Sequence, residues 1–408
     1  MTTVRRSAAA LAVTAVIGAA IASAAAPAAF AAPTPTPSAA ALPPGLYGKG
    51  DPAYDGVWRQ SLALLALDTE DVKPATAAVD WLTGQQCDSG AFPSYRADTK
   101  ADCGAKLPLD SNATAAAIQA LTAVGGQDKT VEKSVAWLKS VQNADGGWSY
   151  NPGGASDANS TAVVIGALAA AGEKPADVKS KGGKSPYDAL LTFAQPCGGT
   201  NGGAFVYQPA MPGLVGDSTA AAVIGAHGKG LAAEPENAKN TDAQGTACKP
   251  TTTIEGAAHN GGTYLATALA KTGYLTTPPM PGSDDPAEKP DFGNTADAVV
   301  ALQVQGLGDQ AKKSLAWLEA DSAGWAKESG PAAYAQLIFA ANAADTDPAD
   351  FGGKDLVAEL TALGPEPQKP QKEEKDDSGI AVWWIVGAFF AASVGVGILF
   401  SGRRKNQS

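Results

Sequence analysis

Between residues 54 and 363 the chain alternates two apolar patterns, both at helical period. The first is small and apolar almost all round: ATAAAIQALTAVGG, TAVVIGALAAAG, TAAAVIGAHGKG and TADAVVALQVQGLG. A helix apolar on every side belongs in an interior. Each run ends in glycine, the residue that readily takes the left-handed turn closing a helix. The second pattern is bulkier and two-faced: AAVDWLTGQQ, KSVAWLKSVQ, YDALLTFAQ and KKSLAWLEA, with an aromatic at a matching place (Trp81, Trp137, Phe193 and Trp317). Small helices inside, covered by amphipathic ones outside, predict an all-α fold: an α6/α6 toroid of six helical hairpins. The predicted pairs are 54–67 with 74–86, 111–124 with 129–142, 159–171 with 186–195, 218–229 with 262–272, 295–307 with 311–320, and 331–343 with 353–363. The connection 231–258 within the fourth pair is long and polar, as functional or mobile loops are.

Polar clusters open the small helices: Asp110-Ser111-Asn112, Asp157-Ala158-Asn159-Ser160-Thr161 and Asp217-Ser218-Thr219, with Gly293-Asn294-Thr295 a degenerate fourth. They recur at intervals of about fifty residues, the scale of a helical repeat. A side-chain oxygen at a helix start accepts from the free N–H groups, worth about 1 kcal/mol per helix. A carboxylate there also complements the helix dipole. Asp110, Asp157 and Asp217 are therefore predicted as caps. All inner helices begin at one end of a toroid, so the clusters ring one mouth. There Asp110, Asn112, Asp157, Asn159, Thr161 and Asp217 become candidate contacts for a polar ligand. Asn112 and Asn159 also open formal glycosylation triplets.

A glycine–aromatic turn precedes each small helix, pairing Phe92 with Tyr95, Trp148 with Tyr150, and Phe205 with Tyr207. Trp325, after Ser322-Ala323-Gly324, is a weaker counterpart. Glycine permits the tight reversal. The ring serves as a wedge between hairpins, and on the mouth it also offers a face for ligand stacking. These six aromatics complete the candidate site.

The two ends of the chain change the picture of where the toroid sits. Residues 1–31 carry Arg5-Arg6, an alanine-rich run and a small-residue exit, the parts of a secretory signal peptide. Residues 32–50 read as a Pro/Ala-rich spacer, 51–363 as the extracellular toroid, and 364–379 as a charged, proline-rich stalk. The uncharged stretch 380–400 suits a single transmembrane helix, with Trp383 and Trp384 near its outer edge. The basic tail 401–408 then stays in the cytoplasm, giving a single-pass cell-membrane protein anchored at its C-terminus. Four cysteines in an exported chain imply two disulfides, with Cys87 pairing Cys103 and Cys197 pairing Cys248 as the local solution. A net charge of -11 argues against nucleic acid and anionic headgroups as partners.

The layout of signal, ectodomain, span and basic tail resembles surface proteins of Gram-positive, actinobacterial type. A sortase signal would need a Thr-Gly that Leu363-Gly364-Pro365-Glu366-Pro367 lacks, so the span is expected to remain as the anchor. Within the toroid, Gln142-Asn143-Ala144-Asp145-Gly146-Gly147-Trp148, Gln86-Cys87-Asp88-Ser89-Gly90-Ala91-Phe92 and, more loosely, Asn201-Gly202-Gly203-Ala204-Phe205 form glutamine–glycine–aromatic turns. These resemble the prenyltransferase/squalene-oxidase repeat superfamily, which spans terpenoid cyclases, prenyltransferase β subunits and transcobalamin-like barrels. The resemblance implies fold more than activity.

The catalytic signatures of that superfamily are missing. The sequence holds no DxDD acid, no DDxxD cluster for Mg²⁺, and only two histidines toward an Asp/Cys/His zinc site. No catalytic residue, metal ligand or certain cofactor is assigned. The leading expectation is a non-catalytic cell-surface protein capturing a small molecule at the toroid mouth. A corrinoid of the cobalamin kind is the ligand the resemblance suggests, with His259 read as lying in a glycine loop from which it could approach cobalt. Transcobalamin-like proteins close on their ligand with a further domain, so a membrane transporter or surface partner would supply that face here. Two alternatives stand beside it. One is a glycan- or cell-wall-active hydrolase or lyase, with Asp157 and Asp217 as the carboxylate pair. The other is a surface adhesin that binds protein.

Overall fold

The computed structural model describes residues 43–235, 247–279 and 287–369, all within the unit that begins at Leu42. The signal segment, the membrane-span and tail assignments, most of the spacer and most of the stalk lie outside the described residues. Among the described residues no helix is long and apolar enough to cross a membrane.

Apolar period, capping residues and glycine stops produce helices close to where the pattern puts them. The first pairs are α1 (Pro52–Thr69) with α2 (Thr76–Gly84), α3 (Ser111–Val124) with α4 (Asp128–Ser140), and α5 (Ala158–Ala170) with α6 (Pro186–Phe193). Then come α7 (Val215–Ala226) with α8 (Ile254–Ala270), α9 (Phe292–Val304) with α10 (Gly308–Asp321), a short α11 (Ala323–Ser329), and α12 (Pro331–Ala343) with α13 (Leu356–Thr361). The described chain is therefore all-α apart from one small antiparallel hairpin, β1 (Leu275–Thr277) with β2 (Lys289–Asp291), which sequence pattern did not announce.

The small helices pack in a circuit: α1 on α3, α3 on α5, α5 on α7, α7 on α9, α9 on α12, and α12 back on α1. Small residues permit the close approach. A Cβ on Gly225 would stand 2.8 Å from the Ala162 Cβ. At the closing joint Asn342 Nδ2 donates to Thr69 Oγ1 at 3.1 Å and Glu70 Oε1 at 2.6 Å, tying the ends of α12 and α1. The bulky aromatics cover this layer: Trp81, Trp137 and Phe193 are buried beneath their own helices. Trp317 stacks on Phe292 at 4.5 Å between centroids.

One hydrogen bond recurs at the four joints that lead into α3, α5, α7 and α9. The N–H of Phe92 donates to Thr114 Oγ1 (2.9 Å), Trp148 to Thr161 (3.1 Å), Phe205 to Thr219 (3.0 Å) and Leu275 to Thr295 (3.0 Å). All four threonines are fully buried. In three of the four the hydroxyl donates onward to a carbonyl one helical turn earlier: Asp110, Val215 and Asp291. The turn glycines serve the same joints. Gly146 has φ 95°, and a Cβ there would stand 2.2 Å from the Ser185 carbonyl oxygen of the next outer helix.

Four boundaries differ from the sequence reading. α8 begins at Ile254, so His259 lies inside a helix and not in a loop. Thr253 caps α8, and its glycines serve close contact: a Cβ on Gly261 would meet Val223 at 2.8 Å. Residues assigned to the spacer belong to the body, since Tyr47 is fully buried and its N–H donates to Gln60 Oε1. The first stalk residues also lie on the body, with Gln368 bonded to the carbonyls of Lys73 and Pro74. Finally, the chain after α7 turns inward: Leu231 N–H donates to Gln119 Oε1 on α3, at 2.7 Å, passing Gly166 of α5.

The recurrent threonine bond makes a specific forecast. Thr161→Val leaves the buried Trp148 N–H without an acceptor and should cost about 1–3 kcal/mol in denaturant unfolding. Thr161→Ser should lose less, and equal losses would show that the bond contributes nothing.

Candidate functional site

The threonines give the inner helices a common register. Two positions before Thr114, Thr161 and Thr219 stand Asn112, Asn159 and Asp217, and before Thr295 stands Gly293. Asn112, Asn159 and Asp217 are therefore equivalent points at the start of successive inner helices. All three keep some exposure, while the residues flanking them are mostly buried. Asn159 Nδ2 donates to Asp217 Oδ2 at 2.8 Å and its Oδ1 accepts from Ser218 Oγ at 2.9 Å, which links α5 and α7 at that level.

This register corrects the alignment of the aspartates. Asp110 and Asp157 do cap their helices, accepting from Ala113 N (2.9 Å) and Ser160 N (2.7 Å). Asp217 does not. It sits in the first turn of α7, whose cap position is Leu214 with no side-chain bond. On α9 the aspartate cap is Asp291, accepting from Asn294 N at 3.0 Å, as Asp51 caps α1. Released from capping, Asp217 keeps part of its surface exposed at the start of α7.

One turn deeper, four positions beyond Gly293, Asp297 joins it. Its carboxylate accepts from Gln336 Nε2 of α12 at 3.1 Å. Burial, and then the charges of Asp217 and Asp291, push Asp297 up to about 7. Asp217 is pushed up to about 6, by burial first, with Asp291 and Asp157 adding to it and the Asn159 amide opposing. Among the described residues no lysine or arginine stands within ion-pair distance of either acid. Sequence reasoning passed over Asp297. Its signal was a lone carboxyl within the apolar run TADAVVALQV, which capping cannot explain.

Several predicted contacts prove structural. Phe92, Trp148 and Phe205 are fully buried, so they wedge the joints and offer no face for stacking. Trp148 Nε1 donates to the Leu138 carbonyl at 2.8 Å, fixing the ring. Thr161 is consumed by the turn bond, and Asp110 and Asp157 are enclosed as caps. Burial raises both carboxyls, against the lowering effect of their hydrogen bonds. The tyrosines remain nearer the surface: Tyr150 is exposed, and Tyr95 and Tyr207 are half-buried. Tyr150 neighbours Asp110 and Tyr207 neighbours Asp157, so each repeat's cap lies against the next repeat's turn. Of twelve predicted residues the structure thus leaves Asn112, Asn159, Asp217, Tyr95, Tyr150 and Tyr207 accessible. Exposed Tyr54, Met211 and Leu214 extend the same rim.

Two hollows adjoin Asp217 and Asp297. A pocket of about 520 Å³ opens between α7, α8 and the hairpin, lined by Asp217, Tyr264, Tyr274, Glu288, Asp291 and Asn294 among others. Inside the circuit a cavity of about 70 Å³ lies beside Asp297, walled by Ala162, Val163, Ala221 and Ile224 and closed by Lys229, Gly230 and Leu231. Neither histidine belongs to the mouth: His227 ends α7 with Nε2 3.0 Å from Gln305 Oε1, and His259 lies in the outer helix α8. No group of three acids, histidines or cysteines among the described residues could hold a metal ion. The two disulfides are Cys87–Cys103 and Cys197–Cys248, the local pairing expected, consistent with a secreted protein.

No family model and no curated protein matches the chain. Solved structures similar to it include the following two. A protein from Actinoplanes has 17% identity and a TM-score of 0.46, covering 74% of this chain and 93% of that one. A sugar epimerase from a ruminal bacterium has 12% identity and a TM-score of 0.40, covering 68% and 80%.

The raised carboxyls set the sign of a pH effect. The folded state holds protons on Asp217 and Asp297 that the unfolded chain, near the ordinary 3.8, releases. Their contribution to stability is full below that value and is lost as pH rises toward about 7. The thermal midpoint should fall between pH 5 and pH 8, and Asp297→Asn should flatten the slope, raising the midpoint at pH 8 by about 2–4 °C. An unchanged slope in the variant would contradict the assignment.

Proposed function

We propose that the inner circuit is the bore of an α6/α6 toroid and that its mouth captures a small ligand without chemical change. The observation that carries this reading is the character of the accessible residues at one level. Asn112, Asn159 and Asp217 stand at one register level with Tyr95, Tyr150 and Tyr207 accessible in the adjoining turns, so a carboxylate, amides and hydroxyls occur beside aromatic surface. Such a face suits a ligand that is broad and fringed with donors. A corrinoid, whose edge bears primary amides, is the first to test.

The last described residues suit a tethered receptor. Gln368 leaves the body beside Lys73 and Pro74, at the end where α1 finishes, opposite the mouth. A chain anchored beyond that point at residues 380–400 would present its mouth away from the membrane. A second reading is favoured by the Asp217–Asp297 pair, which replaces Asp157 and Asp217 as the carboxylates to consider. Two neighbouring acids held above the ordinary range are what acid–base cleavage of a glycan requires.

Mixing the purified chain with cobalamin and desalting it decides between these. Retained visible absorbance near one ligand per chain, lost on Asp217→Ala, is the expected result. A colourless protein at high concentration would contradict corrinoid capture. Release of reducing ends from cell-wall glycan, abolished by Asp297→Asn, would move the assignment to the second reading.

A further inference from the structure

The pocket beside the mouth has a wall whose charge is unbalanced. Asp217, Glu288 and Asp291 face it, with the rings of Tyr264 and Tyr274 and the apolar side chain of Leu214. Lys271 is the one basic residue of the wall, and it is exposed at the C-terminal lip of α8. The acids differ in how far they are already engaged. Both oxygens of Asp291 accept from Asn294, at 3.0 Å from its N–H and 2.6 Å from its amide. Glu288 accepts from the Thr276 hydroxyl at 2.7 Å. Asp217 accepts only from Asn159, through Oδ2, and among the described residues its Oδ1 has no donor.

A carboxylate oxygen without a donor, partly open to a hollow and flanked by aromatic rings, matches one ligand chemistry well. Carboxylate and ring faces both attract a positive charge, and a tyrosine face adds attraction that a neutral alcohol does not receive. A volume of about 520 Å³ is within the range of small-molecule sites and exceeds what a hydrated metal ion needs. The bare N-terminus of α7 works the other way, favouring negative charge at Asp217. Burial and the neighbouring acids outweigh it, since the carboxyl is raised and not lowered.

We propose that this pocket binds an organic ammonium group, with the cation against Asp217 Oδ1 and its substituents between Tyr264 and Tyr274. The proposal rests on the mouth being the ligand-entry face, and it names the charge of the group that enters. It does not require a corrinoid. A ligand carrying an alkylammonium arm could place that arm here while its body covers the rim, and a free small amine could fill the pocket alone.

The test is calorimetric titration of the full chain with choline and with its neutral carbon isostere, 3,3-dimethylbutanol. Choline should bind saturably, with the alcohol at least tenfold weaker, and Asp217→Asn should weaken choline at least tenfold. Should that variant unfold, Glu288→Gln, on the exposed hairpin, should still weaken choline by about twofold to fivefold through loss of a more distant charge. Equal binding of the alcohol would overturn the proposal, as would no choline binding up to about 10 mM, a concentration that detects even millimolar affinity. Choline binding unaffected by both variants would also overturn it. Cobalamin retained without choline binding would remove this inference and leave corrinoid capture standing. Choline binding without cobalamin retention would do the reverse.

Discussion

A single recurrent hydrogen bond organises this protein: in four successive outer turns a backbone N–H donates to a buried threonine one turn inside the next inner helix. Without it, four turns would bury a backbone donor with no acceptor, at a cost of about 1–3 kcal/mol each. With it, these four turns are held at the same height on the helix that follows. The aromatic that carries the N–H is thereby placed between hairpins, which explains why Phe92, Trp148 and Phe205 are wholly enclosed. Where the turn carries Leu275 instead, the bond persists and the wedge role passes to the stack of Phe292 on Trp317 and Trp325.

Register follows from that bond, and function from register. Once the threonines are superposed, Asn112, Asn159 and Asp217 fall on one level and Asp297 one turn below the glycine that replaces them on α9. The acid is thus moved inward on α9, to where Gln336 of α12 can reach it. The caps Asp110, Asp157 and Asp291 lie just outside this level and add negative charge, the first two enclosed and Asp291 facing the pocket. Toward the other end of the inner helices, Leu231 is bonded to Gln119 across the interior. The consequence is a group of acids at the starts of α7 and α9 with a chain segment crossing the interior beyond them.

Much of the fold was legible because its signals are local. Small apolar runs, amphipathic partners and glycine stops mark twelve of the helices to within a few residues at most ends, and cysteine proximity in sequence indicated both disulfides. The clearest failure, the start of α8, has a physical cause. Gly261 and Gly262 read as a loop, yet a glycine inside a helix can be required by a neighbour's approach. The site was only half legible. Aspartate followed by serine looks like a cap in α7 as in α3, and only the threonine register separates a capping acid from one that lines the bore. Asp297 was missed because a single acid inside an apolar run has no periodic signature of its own.

The account stands on Asp217 being enclosed beside the other acids at the start of α7 and α9, and its carboxyl can report that enclosure directly. A capping, solvent-exposed aspartate titrates near or below the ordinary 3.8, since helix N–H donors favour its charged form. Carbon-detected NMR titration of the Asp217 side chain in the intact protein should give a midpoint of about 6. A midpoint at or below the ordinary carboxylate value would place Asp217 outside that enclosure and remove the wall on which the proposed site depends.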